Sequence, residues 1–475
     1  MNTDRKGHRT KIIATMGPSS MQPGVLAEML QAGMNVARIN TSHADRQNII
    51  DTAAHVRKVS EDEGVIVGIL MDLAGPKIRV SDIPEAGINL SQGDELTLGT
   101  GSTVDVKVAP EMEYENVAEN ARVMLDDGRI ELQVTEHLNS KTLRVEVIHG
   151  GMLLPNKGVN FPGVALSVPT VTENDKVNLR LALELDIDWI ALSFVRSAVD
   201  RAPIDEIFKE VGKKIPVMAK IEKPEAVENL EAIIEAFEGA MVARGDLGVE
   251  MPLEQVPLIQ KEIIRKCNAH GKPVITATQL LDSMVSSPSP TRAEANDVAN
   301  AIFDGTDAVM LSNESAVGAY PVKAVATLAS IAITTETAPI GSLVRSRDTH
   351  QELNIATAIS HAASNIVREC DIPVIVTMSE SGITARGVSR YRPRACIVAL
   401  SPNLSTCRQL QLSWGVSALQ IPRKTSTDDM LASAEKLLLE HNYISEGEYF
   451  VLTAGIPVGQ AGTTNLLKVQ QVGGS

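Results

Sequence analysis

The chain has 475 residues, 44% hydrophobic and 22% charged, enough for a large core divided among two or three domains. Its formal net charge of −15 excludes broad nonspecific binding to nucleic acid or anionic membrane, while leaving room for a local basic pocket that takes a phosphorylated metabolite. Four cysteines without CxxC spacing, Cys267, Cys370, Cys396 and Cys407, do not form a disulfide framework, and no uninterrupted apolar run reaches the ~18 residues of a membrane span. The opening MNTDRKGHRTK is charged without an apolar stretch of signal-peptide length behind it, so a soluble cytoplasmic protein is expected.

Along the chain, short β-branched runs alternate with longer segments of helical period, the pattern of βα units and a parallel sheet. The predicted strands are TKIIAT, MNVARIN, VIVGILMDL, DWIALSFV, IPVMAKIE, GAMVARGD, KPVITATQ and TDAVMLSN. Helical patterns follow most of them, PEAVENLEAIIEAFE and LEQVPLIQKEIIRKCNAH among them, and Thr172 with Asp175 and Thr291 with Glu294 have capping-box spacing. Eight such strands predict a (β/α)8 TIM barrel with its active site at the strand C-termini.

The spacing breaks once, after the third strand, where the period turns from helical to alternating: Ile130, Leu132 and Val134 in RIELQV, then Leu143, Val145 and Val147 in TLRVEV. DDG and NS turns punctuate these runs, which predicts an inserted β-barrel or sandwich lying over the barrel mouth as a lid. Beyond Leu343, RSRDTHQE reads as a linker, and IPVIVTM, RACIVAL, VSALQI and EYFVLTAG restart the βα alternation as a C-terminal α/β domain. The expected division is residues 1–72 and 157–342 for the barrel, 73–156 for the lid and 343–475 for the last domain.

Catalytic groups of a barrel belong just past each strand's apolar part. There the chain carries Arg38, Asn40 and Ser42 after strand two, Asp72, Lys77 and Arg79 after three, Lys220 and Glu222 after five, Arg244 and Asp246 after six, and Thr278 after seven. Any one of these alone reads as a paired structural charge; their recurrence around one rim points to a site. Glu222 and Asp246 end adjacent strands, so their carboxylates can share a hard divalent cation, Mg²⁺ or Mn²⁺, leaving positions for substrate oxygens. Lys220 and Arg38, a point charge and a bidentate fork, suit a phosphate. GDLGVE runs from a strand end into the LEQVPLI helix, so the amides near Gly245 and Asp246 are expected to receive a carboxylate at the helix N-terminus. One small molecule bearing both a carboxylate and a phosphate would engage every group.

These motifs, IATMGPSS, ARINTSH, DLAGPKIR, LLDDGR, NKGVNFPG, ALSFVR, AKIE, ARGDLGVE, ATQLLDSM and PTRAEANDVANAIFDGTDAVMLS, stand in the order they have in pyruvate kinases, and the chain resembles that family along nearly its whole length. The resemblance implies a barrel, an inserted lid and an effector-binding C-terminal domain. It also implies transfer of a phosphoryl group from phosphoenolpyruvate to ADP, giving ATP and pyruvate, with Mg²⁺ or Mn²⁺ as cofactor, and a homotetramer. By position it makes Arg38 the contact to the transferred phosphoryl group, Lys220 its stabiliser in transit and Glu222 and Asp246 the metal ligands. Gly245, Asp246 and Thr278 become the groups at the carboxyl end of phosphoenolpyruvate, with Thr278 also near the enolate carbon. Arg79, Lys157, His43 and Asp126 fall at the nucleotide.

The chain departs from the family in three places. Potassium-requiring members read DTKGPEIR and hold K⁺ on oxygens that match Asn40, Ser42, Asp72 and the backbone of Leu73. Here Lys77 replaces the glutamate, so a tethered ammonium is expected to stand in for K⁺, with Asp72 as its partner and no K⁺ requirement. LSNES (Leu311 to Ser315) puts Asn313 where many members carry glycine, which matters if that position needs a positive φ. SESGITA resembles the loop that seats an effector phosphate, with Ser379, Ser381, Gly382 and Thr384 as candidate contacts, but Glu380 stands where some sugar-bisphosphate-activated members carry a cation. The expected effector is therefore a phosphorylated metabolite of unspecified identity. Two rival readings are a metal-dependent pyruvate-enolate lyase or aldolase on the same barrel, and a catalytically inactive metabolite sensor.

Overall fold

The computed structural model describes residues 7–101, 103–164, 168–338, 354–424, 426–456 and 464–474. Strands Lys11–Thr15, Val36–Asn40, Gly68–Asp72, Trp189–Leu192, Val217–Ile221, Gly239–Ala243, Val274–Ala277 and Ala308–Leu311 pair in parallel, each with its chain neighbour, and the last closes on the first. All eight predicted strands are present. They are near-continuous apolar runs because they are covered on both faces. Ile13, Leu70, Trp189, Met218, Met241, Ile275 and Met310 fill the barrel interior, while the outward-facing residues pack under the surrounding helices. Both capping boxes are formed, Thr172 with Asp175 ahead of helix Glu173–Glu184 and Thr291 with Glu294 ahead of helix Arg292–Asp304.

The insertion folds as a barrel-like seven-stranded sheet, running from Arg79–Ser81 to Val159–Asn160 in chain order. Ile130, Leu132, Val134, Leu143, Val145 and Val147 are all buried in its core, as their alternation requires. Chain enters through Arg79–Ser81 and leaves through Val159–Asn160, and a bridge between Arg79 and Gly158 joins the two crossings into one hinge.

The C-terminal domain has a sheet in the order Val416–Gln420, Cys396–Ser401, Val374–Met378, Tyr449–Gly455, Thr464–Gln471, the last strand antiparallel. The expected boundary between residues 342 and 343 lies outside the described residues. This domain docks under the N-terminal end of the barrel. Leu412 enters the barrel's interior cluster beside Trp189, whose indole N–H donates to Gln409 O at 3.0 Å. Asp307, on the turn before the eighth strand, accepts from Arg392 Nη1 at 2.9 Å and Nη2 at 3.1 Å and from the Trp414 amide at 3.0 Å.

Candidate active site

The polar residues at the strand ends converge on the mouth opposite that docking face. Arg38 points from strand two onto Asp72 at the end of strand three: its Nε and Nη2 lie 2.9 and 2.7 Å from Asp72 Oδ2, and Nη1 donates to Thr15 Oγ1 at 2.9 Å. Lys220, from strand five, reaches Asp72 Oδ1 at 3.2 Å, Glu222 Oε1 at 2.8 Å and Ser193 Oγ at 2.8 Å. Asp72 is 2% exposed and Glu222 fully buried, so neither carboxylate could stay ionised without these cations. Burial alone would raise the Asp72 carboxyl, but Lys220 and Arg38 outweigh it and hold the group below the usual carboxylate range. Burial likewise pulls the Lys220 ammonium down, and Asp72, Glu222 and Asp246 more than restore it, so it stays protonated.

That arrangement corrects one expectation. The expected pair of Lys77 with Asp72 does not form, because both Asp72 oxygens are occupied by Arg38 and Lys220. The Lys77 ammonium lies instead 3.8 Å from Asp246 Oδ1, across the mouth. Two further oxygens of the monovalent-cation region are also engaged: Asn40 Oδ1 accepts the Ser42 amide at 3.1 Å, and Leu73 O accepts the Ser193 hydroxyl at 2.7 Å.

A divalent cation fits the carboxylates. Glu222 Oε2 accepts the Phe194 amide at 2.7 Å, and the buried Oε1 is met only by the Lys220 ammonium, 2.8 Å away. Burial raises the Glu222 carboxyl; Lys220 pulls it back, and the Asp246 charge facing it adds to the net rise. Two carboxylates that repel one another, one with a buried oxygen met only by an ammonium, form a donor set for a hard cation with open coordination positions.

Thr278 follows strand seven in the left-handed region at φ 68°, and Gln279 repeats it at φ 55°, a conformation that costs a β-branched residue energy. The Thr278 hydroxyl accepts the Gly245 amide at 2.8 Å and donates to Ala277 O at 2.6 Å. The helix carrying Gly245 and Asp246 is a short one, Arg244–Glu250, separated by the segment Met251 to Gln255 from helix Val256–His270, so GDLGVE does not run into the LEQVPLI helix as expected. Proline restricts the residue before it to extended backbone, and Met251 has φ −129° and ψ 157°.

The nucleotide candidates gather at the hinge. Arg79 Nη1 donates to Asn156 O at 2.9 Å, and Lys157 Nζ pairs with Asp126 Oδ1 at 2.7 Å. Partial burial, followed by the charges of Arg79, Lys77 and Arg38, lowers the His43 pKa and keeps its ring neutral among cations. At LSNES, Asn313 opens the short helix Asn313–Ala316 without a positive φ, so the backbone there does not demand glycine. Glu314 accepts the amides of Leu281 at 3.2 Å and Ser312 at 2.7 Å.

The effector-loop residues are already hydrogen-bonded, one pair with each other and the rest with neighbouring groups. Ser379 Oγ accepts the Gly382 amide at 2.9 Å, Thr384 shares a hydrogen bond with Thr464 Oγ1 at 2.7 Å, and Ser381 O accepts from Arg386 at 2.9 Å. Glu380 is neutralised by Arg423 at 2.9 Å, which removes the repulsion its charge implied. Three contributors to the mouth were missed: Thr15, Ser193 and the Phe194 amide. The same strand-end rule applied to strands one and four, IIAT and ALSF, would have found them.

Comparison with known proteins shows the family of the chain. A family model described as "Pyruvate kinase, barrel domain" covers residues 7–325, and one described as "Pyruvate kinase, alpha/beta domain" covers residues 357–470. "Pyruvate kinase 2" of Synechocystis sp. is 44% identical over 479 residues, spanning 99% of this chain and 80% of that protein. The enzymes named pyruvate kinase of Geobacillus stearothermophilus and Staphylococcus aureus are 43% and 42% identical, each spanning 98% of this chain and 80% of the relative.

Proposed function

The chain belongs to the pyruvate kinase family, and from that membership we infer that it moves the phosphoryl group of phosphoenolpyruvate to ADP, yielding ATP and pyruvate in glycolysis. The observation that carries this reading is the buried Glu222 carboxylate facing the Asp246 charge, with Lys220 and Arg38 on the same rim. In the reaction the phosphorus–oxygen bond to the enol breaks, one to the terminal phosphate of ADP forms, and the enolate takes up a proton at its methylene carbon. Little of this needs covalent participation by the protein; it needs position and charge.

Arg38, already splayed as a fork over Asp72, transfers its donors to the phosphoryl oxygens. Lys220, kept protonated by its carboxylate neighbours, follows the developing charge on the group in transit. The Gly245–Asp246 amides and the Thr278 hydroxyl hold the carboxylate end, with Thr278 beside the carbon that is protonated. Glu222 and Asp246 would hold Mg²⁺ or Mn²⁺, which would supply further neutralisation of developing negative charge. Arg79, Lys157, His43 and Asp126 sit on or beside the hinge, so lid closure brings nucleotide contacts over the site and removes water that would otherwise hydrolyse the phosphoryl donor.

Lys77 acts as the built-in cation of this site. Its ammonium faces Asp246 where a K⁺ would otherwise add positive charge, which supports K⁺-independent turnover. A phosphorylated metabolite regulates the enzyme through the Ser379–Thr384 loop, where the Glu380–Arg423 pair removes an electrostatic obstacle. The protein works as a cytoplasmic homotetramer; among the described residues no helix is long and apolar enough to cross a membrane.

The test is a coupled assay for pyruvate with Mg²⁺ or Mn²⁺, run with and without ADP and across a panel of sugar phosphates and AMP. ADP-dependent pyruvate from phosphoenolpyruvate is expected. Pyruvate release that ignores ADP would move the protein to the lyases, and absence of turnover would make it a sensor.

A further inference from the structure

Arg244 is half-buried beside the site, and its hydrogen bonds go to backbone carbonyls and one carboxylate. Its guanidinium is spent on backbone: Nη2 donates to Thr278 O at 2.7 Å and Gln279 O at 3.4 Å, and Nε to Ala277 O at 3.3 Å. Nη1 is held by Asp297, 2.8 Å away on helix Arg292–Asp304. Three successive carbonyls thus face one planar fork, and they belong to the segment where two non-glycine residues in a row are left-handed. Such a turn persists only where its surroundings over-determine it. Relaxing it would swing the Thr278 hydroxyl off the Gly245 amide, to which it is bound at 2.8 Å.

We propose that Arg244, anchored by Asp297, is a positioning residue: it clamps the Ala277–Gln279 carbonyls so that Thr278 stays left-handed with its hydroxyl against the Gly245 amide. The inference rests on the pyruvate kinase reading for its kinetic consequence, since the place it fixes is where the carboxylate is held and the enolate protonated. Arg244 itself touches neither substrate nor metal. A lysine cannot substitute, because a point charge does not span three carbonyls.

The test compares Arg244→Lys, Asp297→Asn and Gln279→Gly, singly and as Arg244→Lys/Gln279→Gly, in the full-length protein. The readouts are ADP-dependent pyruvate formation, deuterium uptake from solvent into the pyruvate methyl group, and melting temperature. Release of one or two left-handed residues should lower kcat and methyl exchange about 10- to 100-fold in Arg244→Lys. Asp297→Asn, which keeps the packing and loosens the anchor, should lose about 3- to 10-fold.

Glycine adopts positive φ without strain, so Gln279→Gly should restore about 3-fold or more of the exchange rate in the lysine background. A purely structural arginine would lower the melting temperature without that rescue, and such a result overturns the proposal. So does an Arg244→Lys enzyme within about 2-fold of the parent in both rates. If the parent makes no ADP-dependent pyruvate, the functional reading fails on its own, and a crystal structure of Arg244→Lys decides the clamp: Thr278 relaxed to negative φ supports it, and unchanged positive φ refutes it.

Discussion

Reversing the charge at residue 77 tests the idea that the site carries its own monovalent cation. Lys77 Nζ stands 3.8 Å from Asp246 Oδ1, with the two side chains 30% and 26% exposed. At an effective dielectric of about 20 the bare attraction is about 4 kcal/mol, and solvent at this degree of exposure reduces it toward the ~1 kcal/mol of surface pairs. Lys77→Glu converts that attraction into a repulsion of similar size, so the net swing is about 2 kcal/mol, or roughly 30-fold in kcat/KM for phosphoenolpyruvate. Added K⁺ should recover most of that loss in the variant and do nothing for the parent. The assay is initial-rate kinetics in KCl against tetramethylammonium chloride at matched ionic strength, which separates a bound ion from screening. Strong KCl activation of the parent, or a variant with equal rates in both salts, would refute the reasoning.

Lys220→Met should reduce kcat by about 10³-fold, while Mn²⁺ affinity, measured by calorimetry, holds or tightens as a competing cation leaves Glu222; a parallel loss of metal binding would contradict the role given to Lys220. Asp307→Asn breaks the buried bond to Arg392 between barrel and C-terminal domain and should cost about 3 kcal/mol, seen as a lower unfolding midpoint in denaturant. Glu294 is partly buried, which would raise its pKa, but hydrogen bonds from Ser283 and Thr291 hold it below the ordinary glutamate value. Its contribution is therefore fully present above the unfolded pKa of ~4.3 and is lost as pH falls through the lower folded pKa. Glu294→Gln should flatten that acid limb of the stability curve, and an unchanged limb would show that the cap does not couple to pH.

The barrel was legible because its strands are covered on both sides and so announce themselves as apolar runs at βα spacing. The lid was legible because its strands alternate, with Ile130, Leu132 and Val134 buried and their neighbours more exposed. The final strand, Thr464–Gln471, escaped notice: TNLLKVQQ alternates poorly and lies at the sheet edge, where only one neighbour pays attention to its sequence. Within the site, residue type and strand-end position identified Arg38, Asp72, Lys220 and Glu222 as neighbours. Which cation meets which carboxylate was not readable, because Lys77 and Lys220 are interchangeable in a one-dimensional pattern and only reach across the mouth separates them. Nor does a sequence without glycine at 278 and 279 advertise two left-handed residues, whose carbonyls meet a guanidinium from the helix Arg244–Glu250.

Leu412 gives the molecule a property that neither large domain has alone. The innermost layer of the barrel is completed by a residue more than a hundred positions beyond its last strand, with Trp189 tethered to the same turn. The barrel thus has a borrowed floor. A chain cut between the two domains would leave an apolar shaft open at its base, so the parts are not interchangeable modules, and any shift of the C-terminal domain is felt first along the axis of the barrel rather than around its outer ring of helices.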